Sequence, residues 1–151
     1  VLGVPIMNMI RVEEILKKAG LKLTTQRRAI IEVFMDYNDH VLTAEQIYEK
    51  TKEKHPTMNF STVYRNLEIL ERINIIHKIT MQNQASKYQL LHYGKHHHHF
   101  ICKDCGKSEI IDFCPLRTLN TELVNKNFVL TDHCFELYGY CNDCMANKSE
   151  A

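Results

Sequence analysis

The sequence predicts an α+β protein made of two small domains, and three observations predict this class. The first half carries apolar residues at helical spacing, followed by one segment in which apolar and polar residues alternate. The second half carries short alternating segments and one helical stripe. All six cysteines lie after position 100 of the 151 residues. We set the domains at 1–91 and 96–151, joined by a hinge at 92–95.

Three helices open the first domain. The first is an apolar stripe that stops at Gly20. Thr24 and Thr25 are cap candidates for the second helix. Thr43 and Gln46 fit a capping box at the start of the third.

A fourth helix is expected to begin near Ser61, since Pro56 has ended the third. Its apolar face points inward, and its outward face carries Thr62, Tyr64, Arg65 and Glu68. The period then changes to two residues between Ile75 and Leu91, with a turn near Asn83. Helices followed by one hairpin describe a winged helix-turn-helix, a fold that reads DNA.

The second domain alternates differently. Residues 99–101 and 109–111 are predicted strands, and 134–139 is predicted as the final strand. One amphipathic helix is expected between them, and its apolar positions are Leu116, Leu119 and Leu123. These elements describe a small unit of mixed helix and sheet.

The overall charge does not indicate nucleic-acid binding, because the net charge is only +1. Residues 1–90 carry 13 Lys and Arg against 10 Asp and Glu, a modest bias that is compatible with DNA. No apolar run approaches the ~20 residues of a membrane helix. The opening residues lack the basic start and long apolar core of a signal peptide. We therefore expect a cytoplasmic protein with no membrane partner.

Two CxxC motifs predict a structural zinc site. Two intervening residues let both sulfurs of a pair turn to one point, and the two pairs are separated by 35 residues. Four thiolates complete a tetrahedral Zn²⁺ site and leave no open position for a substrate. A redox pair or plain buried cysteines are the alternatives, but redox CxxC motifs normally occur singly. The predicted ligands are Cys102, Cys105, Cys141 and Cys144.

Four consecutive histidines at 96–99 run into an apolar strand and predict a regulatory metal site. Side chains of an extended chain alternate between faces, so His97 and His99 point to one side. A solvated polar tract is the alternative, although four histidines in a row are rarely placed for packing. The candidate partners of this pair are His77, His92 and, as a further candidate, His40. Ligands from both domains would couple metal occupancy to the angle between them.

The other face of the same tract predicts a candidate third metal site. Its ligands would be His96, His98 and His133. Thr118 stands where a carboxylate would be expected, and Cys114 or Asp112 is a substitute ligand.

Taken together, these motifs resemble the ferric uptake regulator family over residues 16–144. The matching stretches are GLKLTTQR (20–27), HVLTAE (40–45), STVYRNL (61–67), HHHHFICKDCG (96–106) and LYGYCNDC (137–144). The resemblance implies a homodimeric repressor with an N-terminal winged helix and a C-terminal dimerisation domain. It also implies a double-stranded DNA operator, a regulatory metal at the domain junction, and no small-molecule substrate other than metal ions.

The resemblance places DNA contacts as well. Tyr64 and Arg65 fall where the family's recognition helix touches bases. Arginine suits O6 and N7 of guanine, and tyrosine suits thymine methyl groups. Lys22 and Arg27 match positions that approach the backbone or the minor groove. Thr62, on the outward face of the same helix, completes the expected set.

Departures from the family's pattern favour a zinc sensor. Gln89 stands where iron-sensing members carry Glu and peroxide sensors carry Asp. A neutral amide is a poor replacement for a carboxylate on Fe²⁺. His92 stands five residues before His97, where zinc-sensing members often place Cys, and His77 lies close to their wing acid. The run 110–116 is similar to that of zinc-sensing members from Gram-positive bacteria.

We therefore predict a zinc-responsive repressor of metal uptake genes rather than an enzyme. An iron-responsive or peroxide-sensing repressor, with Fe²⁺ or Mn²⁺ in the regulatory site, is the alternative, because His40 matches a ligand of those sensors. A zinc hydrolase is a distant alternative. It would need an open metal position and a nearby acid, and the histidine tract has no adjacent His-x-Glu pattern.

Overall fold

The computed structural model describes residues 7–80, 83–92, 97–111, 113–117, 130–131 and 133–149. The chain divides into two compact units, Val1–Gly94 and Lys95–Ala151. None of the described helices is long and apolar enough to cross a bilayer.

The first unit is a helical domain that ends in a small antiparallel sheet. Its strands lie in the order β1-β3-β2, and β2 and β3 form the predicted hairpin. This architecture confirms the predicted winged helix. The elements are α1 (Met9–Lys18), α2 (Thr25–Asp36), β1 (Leu42–Thr43), α3 (Ala44–Lys54), α4 (Phe60–Arg72), β2 (Ile76–Ile79) and β3 (Lys87–Leu90).

Side-chain caps fix where the helices begin. Thr24 caps α2 by accepting a hydrogen bond from the backbone N–H of Arg27. Thr43 and Gln46 form the predicted capping box at α3, each side chain bonding the other's backbone. Asn59 caps α4, so this helix begins directly after it.

The core of the first unit comes from the apolar faces of its helices and from β2 and β3. Its largest fully buried side chains are Leu16, Phe34, Ile30, Ile31, Ile47, Leu67, Leu70, Ile75 and Ile76. One expectation for α4 is wrong: Thr62 is buried rather than outward-facing. It lies one turn before Asn66, which is also buried, so the inward face of α4 is wider than its apolar residues alone indicate.

The second unit is built on a three-stranded sheet in the order β5-β4-β6. The central strand pairs antiparallel with β5 and parallel with β6. The predicted strands are confirmed with shifted ends, while α5 and the two-residue β1 of the first unit were not predicted. The elements are β4 (His98–Cys102), β5 (Ser108–Ile111), a 3-10 turn (Pro115–Arg117), β6 (Glu136–Gly139) and α5 (Asn142–Ser149).

Several expectations fall on residues outside those that the structure describes. They include most of the amphipathic helix that was predicted from Leu116, Leu119 and Leu123. The hinge residues 93–95 and the candidate ligands His96 and Asp112 also lie outside the described residues, as does Thr118.

Candidate functional site

The four predicted cysteine ligands converge in the second unit. Cys102 ends β4, Cys105 follows in a turn, Cys141 follows β6, and Cys144 lies in the first turn of α5. Their sulfur atoms all lie within 4.8 Å of one another, and those of Cys105 and Cys141 are 3.7 Å apart. Zn–S bonds of about 2.3 Å in a tetrahedron place neighbouring sulfurs about 3.8 Å apart. The cluster therefore has the dimensions of a four-thiolate zinc site.

The four thiols influence one another's ionisation. Burial raises the pKa of Cys102, but N–H groups of Cys141, Cys105 and Asp104 outweigh it and lower the value to about 6. The backbone N–H of Cys141 donates to this sulfur at 3.3 Å. A hydrogen bond with Cys141 raises the pKa of Cys144 to about 12. Neighbouring sulfurs thus oppose joint ionisation, and a dication would remove that opposition.

A second cluster in the same unit joins His98, Cys114 and His133. Their ligand atoms lie within 4.8 Å of one another, and Cys114 Sγ is 3.3 Å from His133 Nε2. The rings of His98 and His133 have centroids 5.2 Å apart. His98 is 3% exposed and Cys114 is 6% exposed, so both donors are withdrawn from solvent. This arrangement brings together two predicted ligands of the third site and one of its predicted substitutes.

The alternation predicted along the histidine tract is present in β4. The rings of His97 and His99 lie edge to face with centroids 5.0 Å apart. His98, between them in sequence, instead joins Cys114 and His133. The tract thus offers imidazoles to two places, as the period of an extended chain requires.

The predicted partners from the first unit stand on separate elements. His77 lies on β2, directly opposite Gln89 on β3, so both side chains are on one face of the sheet. Gln89 is 2% exposed. His40 follows α2, with Nδ1 2.7 Å from a carboxylate oxygen of Asp39. The regulatory set also needs His92 from this unit and two histidines from the other, and it stays a prediction.

The candidate DNA-reading face lies on α4 and the turn before α2. Tyr64 and Arg65 are exposed, and Lys22 is exposed in the turn. Phe60, which the sequence analysis did not consider, packs against Tyr64 with ring centroids 4.9 Å apart. An aromatic residue at the start of the amphipathic helix α4 is the sequence feature that could have indicated Phe60. Arg27, by contrast, is buried.

The Ferric uptake regulator family model matches residues 18–138. A ferric uptake regulation protein from Campylobacter jejuni is 37% identical over 145 residues, covering 93% of this chain and 90% of that protein. The solved Vibrio cholerae ferric uptake regulator matches with a TM-score of 0.69 and 30% identity, covering 86% of this chain and 99% of that chain.

Solved regulators of other branches match as well. A zinc-bound manganese uptake regulator has a TM-score of 0.65 and 28% identity, covering 86% of this chain and 98% of that one. The Campylobacter jejuni peroxide stress regulator has a TM-score of 0.61 and 25% identity, covering 91% of this chain and all of that one (100%). These similarities do not single out one metal.

Proposed function

The chain belongs to the ferric uptake regulator family, and on that premise we propose that it is a zinc-responsive repressor that controls metal uptake genes. Family members are metal-responsive transcriptional regulators that bind DNA as dimers. The proposal joins two features of this chain, an exposed reading face on α4 and a set of imidazole and thiol donors.

The observation that carries the zinc assignment is the chemistry of the donors. Gln89 is a buried, neutral amide opposite His77, at the position where a carboxylate would favour a hard ion. Among the described residues, the cluster of His98, Cys114 and His133 offers two imidazoles and one thiol. Imidazole and thiolate suit Zn²⁺, whereas carboxylates suit Mn²⁺ and complete Fe²⁺ sites. The donor set therefore favours zinc as the sensed metal.

We assign three roles to the metal-binding residues. The four cysteines hold a structural Zn²⁺, since four thiolates leave no position for exchange with a substrate. His98 and His133, the described members of the predicted third site, form an additional zinc site with Cys114, and His96 is its remaining candidate ligand. The regulatory set is His77, His92, His97 and His99, with His40 as a further candidate, and it binds Zn²⁺ or, in the alternative function, Fe²⁺ or Mn²⁺.

The regulatory ligands come from both units, so metal binding favours the arrangement of the units that fits DNA. Zinc would be held by the imidazoles of the regulatory set, and these side chains would set which arrangement of the units it stabilises. When zinc falls, the ligands separate and affinity for the operator falls with occupancy.

DNA recognition rests on paired reading faces. Arg65 is placed to donate to guanine in the major groove, and Tyr64 to contact thymine methyl groups. Dimerisation makes a palindromic operator the expected target. Exposed apolar side chains on the sheet of the second unit support an association of two copies, because such residues are costly in water. They include Phe100 and Leu137, which pair across β4 and β6 and lie on one face of the sheet.

The test is a comparison of metals under anaerobic conditions. Duplexes recovered by selection from random-sequence DNA serve as the probe for protein loaded with Zn²⁺ or with Fe²⁺. We expect DNA binding to appear at a lower free concentration of Zn²⁺ than of Fe²⁺. Gln89→Glu is the informative variant, because a carboxylate opposite His77 should improve the response to Fe²⁺ relative to Zn²⁺.

The second candidate is an iron or peroxide sensor, and His40 favours it because it matches a ligand of those sensors. DNA binding that appears with Fe²⁺ and not with Zn²⁺ would replace the zinc proposal with this candidate. Selective oxidation of a histidine ligand in the iron-loaded protein would support peroxide sensing.

A further inference from the structure

Arg27 is the buried member of a pair of neighbouring arginines on α2. It is 8% exposed, whereas Arg28 is exposed and pairs with Glu13 at the surface. Withdrawing a guanidinium from water is costly, and burial lowers the pKa of Arg27 from its ordinary value. A side chain placed at this cost needs a role that an apolar residue could not fill.

The guanidinium of Arg27 bonds in two directions. Its Nε donates to Asn66 Oδ1 on α4 at 3.1 Å, and its Nη1 donates to the backbone carbonyl of Lys22. Asn66 is itself buried, and its Nδ2 donates to the Thr62 carbonyl one turn earlier at 2.9 Å. One planar group therefore ties the turn before α2 to the recognition helix.

Both ends of this link carry expected DNA contacts. Lys22 is exposed in the turn, and Arg65, the residue before Asn66, is exposed on α4. A planar fork holds two acceptors at a fixed separation, which a lysine ammonium cannot do. The spacing between a backbone contact and a base contact therefore depends on the orientation of Arg27.

We propose that Arg27 is a positioning residue for sequence-specific DNA binding, which sets the recognition helix relative to the Lys22 turn and does not itself contact phosphate. The inference rests on the proposed DNA-binding function. It assigns Arg27 a different part from the direct contact that the family resemblance implies.

The test measures affinity for two duplexes as a function of salt. One is the duplex selected from random DNA by the zinc-loaded protein, and the other is a scrambled duplex of the same length. Arg27→Lys keeps the charge and loses the fork, and Arg27→Gln removes the charge. Arg28→Lys is the control, since it makes the same change at an exposed position of the same helix.

We expect Arg27→Lys and Arg27→Gln each to weaken binding to the selected duplex about tenfold, the equivalent of one strong hydrogen bond. Affinity for the scrambled duplex and the salt dependence should stay at the wild-type values, and Arg28→Lys should change neither. A lost phosphate contact behaves differently: both duplexes weaken together in Arg27→Gln, and the salt slope falls by about 0.9. That result, or full affinity in Arg27→Lys, would overturn the proposal.

Asn66→Ala cuts the same link from the other side and carries the test if an Arg27 variant does not fold. It should lose the same preference for the selected duplex, and the double variant should lose no more than either single one. Additive losses would show that the two residues do not act as a unit. If the zinc-loaded wild type selects no sequence at all, the proposed function fails, which is distinct from any of these outcomes.

Discussion

The two candidate metal-binding clusters of the second unit differ in how their ligands are spread along the chain. The cysteine cluster consists of two local pairs, each closed over two intervening residues. The other cluster joins three single residues, His98, Cys114 and His133. A local pair can hold an ion while the rest of the unit is unfolded, whereas single ligands converge only when the sheet has formed. The first cluster therefore helps to build the unit, and the second depends on it.

The largest effect is expected from removing one member of a local pair. Cys141→Ser should lose the structural zinc and unfold the second unit, because such sites contribute about 10–16 kcal/mol in zinc-finger peptides. Zinc per chain by mass spectrometry and the dispersion of the amide NMR spectrum measure the two losses. Lys103→Ser is the control, since this exposed side chain lies inside the first CxxC motif and is not one of the four ligands. A folded Cys141→Ser protein without zinc would show that the cluster does not build the unit.

His97→Ala tests whether the regulatory metal site is separate from the structural four-cysteine site. The zinc concentration that gives half-maximal DNA binding should rise at least tenfold, since one ligand is gone. The structural zinc and the fold should be unchanged. Zinc titration of binding to the selected duplex measures the response, with His55→Ala as a control outside the predicted ligand set. Loss of folding would mean that His97 has a structural role and not a regulatory one.

Arg65→Ala tests the reading face with both metal clusters intact. Losing a bidentate contact to guanine costs about 1–3 kcal/mol, or roughly fivefold to 150-fold in affinity. Zinc affinity should not change, because Arg65 lies on the exposed side of α4. Fluorescence anisotropy on the selected duplex measures the loss, and Arg72→Ala at the end of the same helix is the control. Unchanged operator affinity would remove Arg65 from the DNA-binding set.

Local patterns were sufficient to predict the elements whose signals are local. The Thr43 capping box and the end of α3 before Pro56 depend on residues a few positions apart, and the structure confirms them. The two CxxC pairs are equally local, and the structure brings their four sulfurs together. Elements without a local signal were missed. β1 has only two residues and runs directly into the cap of α3. α5 begins inside the second CxxC motif, where the residues were interpreted as metal ligands and not as the start of a helix.

Single ligands were harder to predict than pairs, because their partners are set by tertiary structure. The period of an extended chain was enough to separate His98 from His97 and His99. It could not choose between Cys114 and Asp112 as the substitute ligand. The structure brings Cys114 to the cluster, and Asp112 lies outside the described residues. The burial of Arg27 had no local signal either, because its partner Asn66 lies 39 residues away.

The smallest effect is expected at the cluster of His98, Cys114 and His133. Cys114→Ser replaces a thiolate donor by a neutral hydroxyl, a much weaker zinc ligand, and should lower zinc affinity at this cluster about tenfold. The four-cysteine site and the regulatory site should be unaffected, so competition with a chromogenic chelator should show one weakened zinc and two unchanged. Cys114→Asp sharpens the comparison, because a carboxylate keeps a ligand in place and shifts the preference toward Mn²⁺. If Cys114→Ser binds as much zinc as the wild type, and as tightly, Cys114 is packing beside His98 and His133 rather than completing a site.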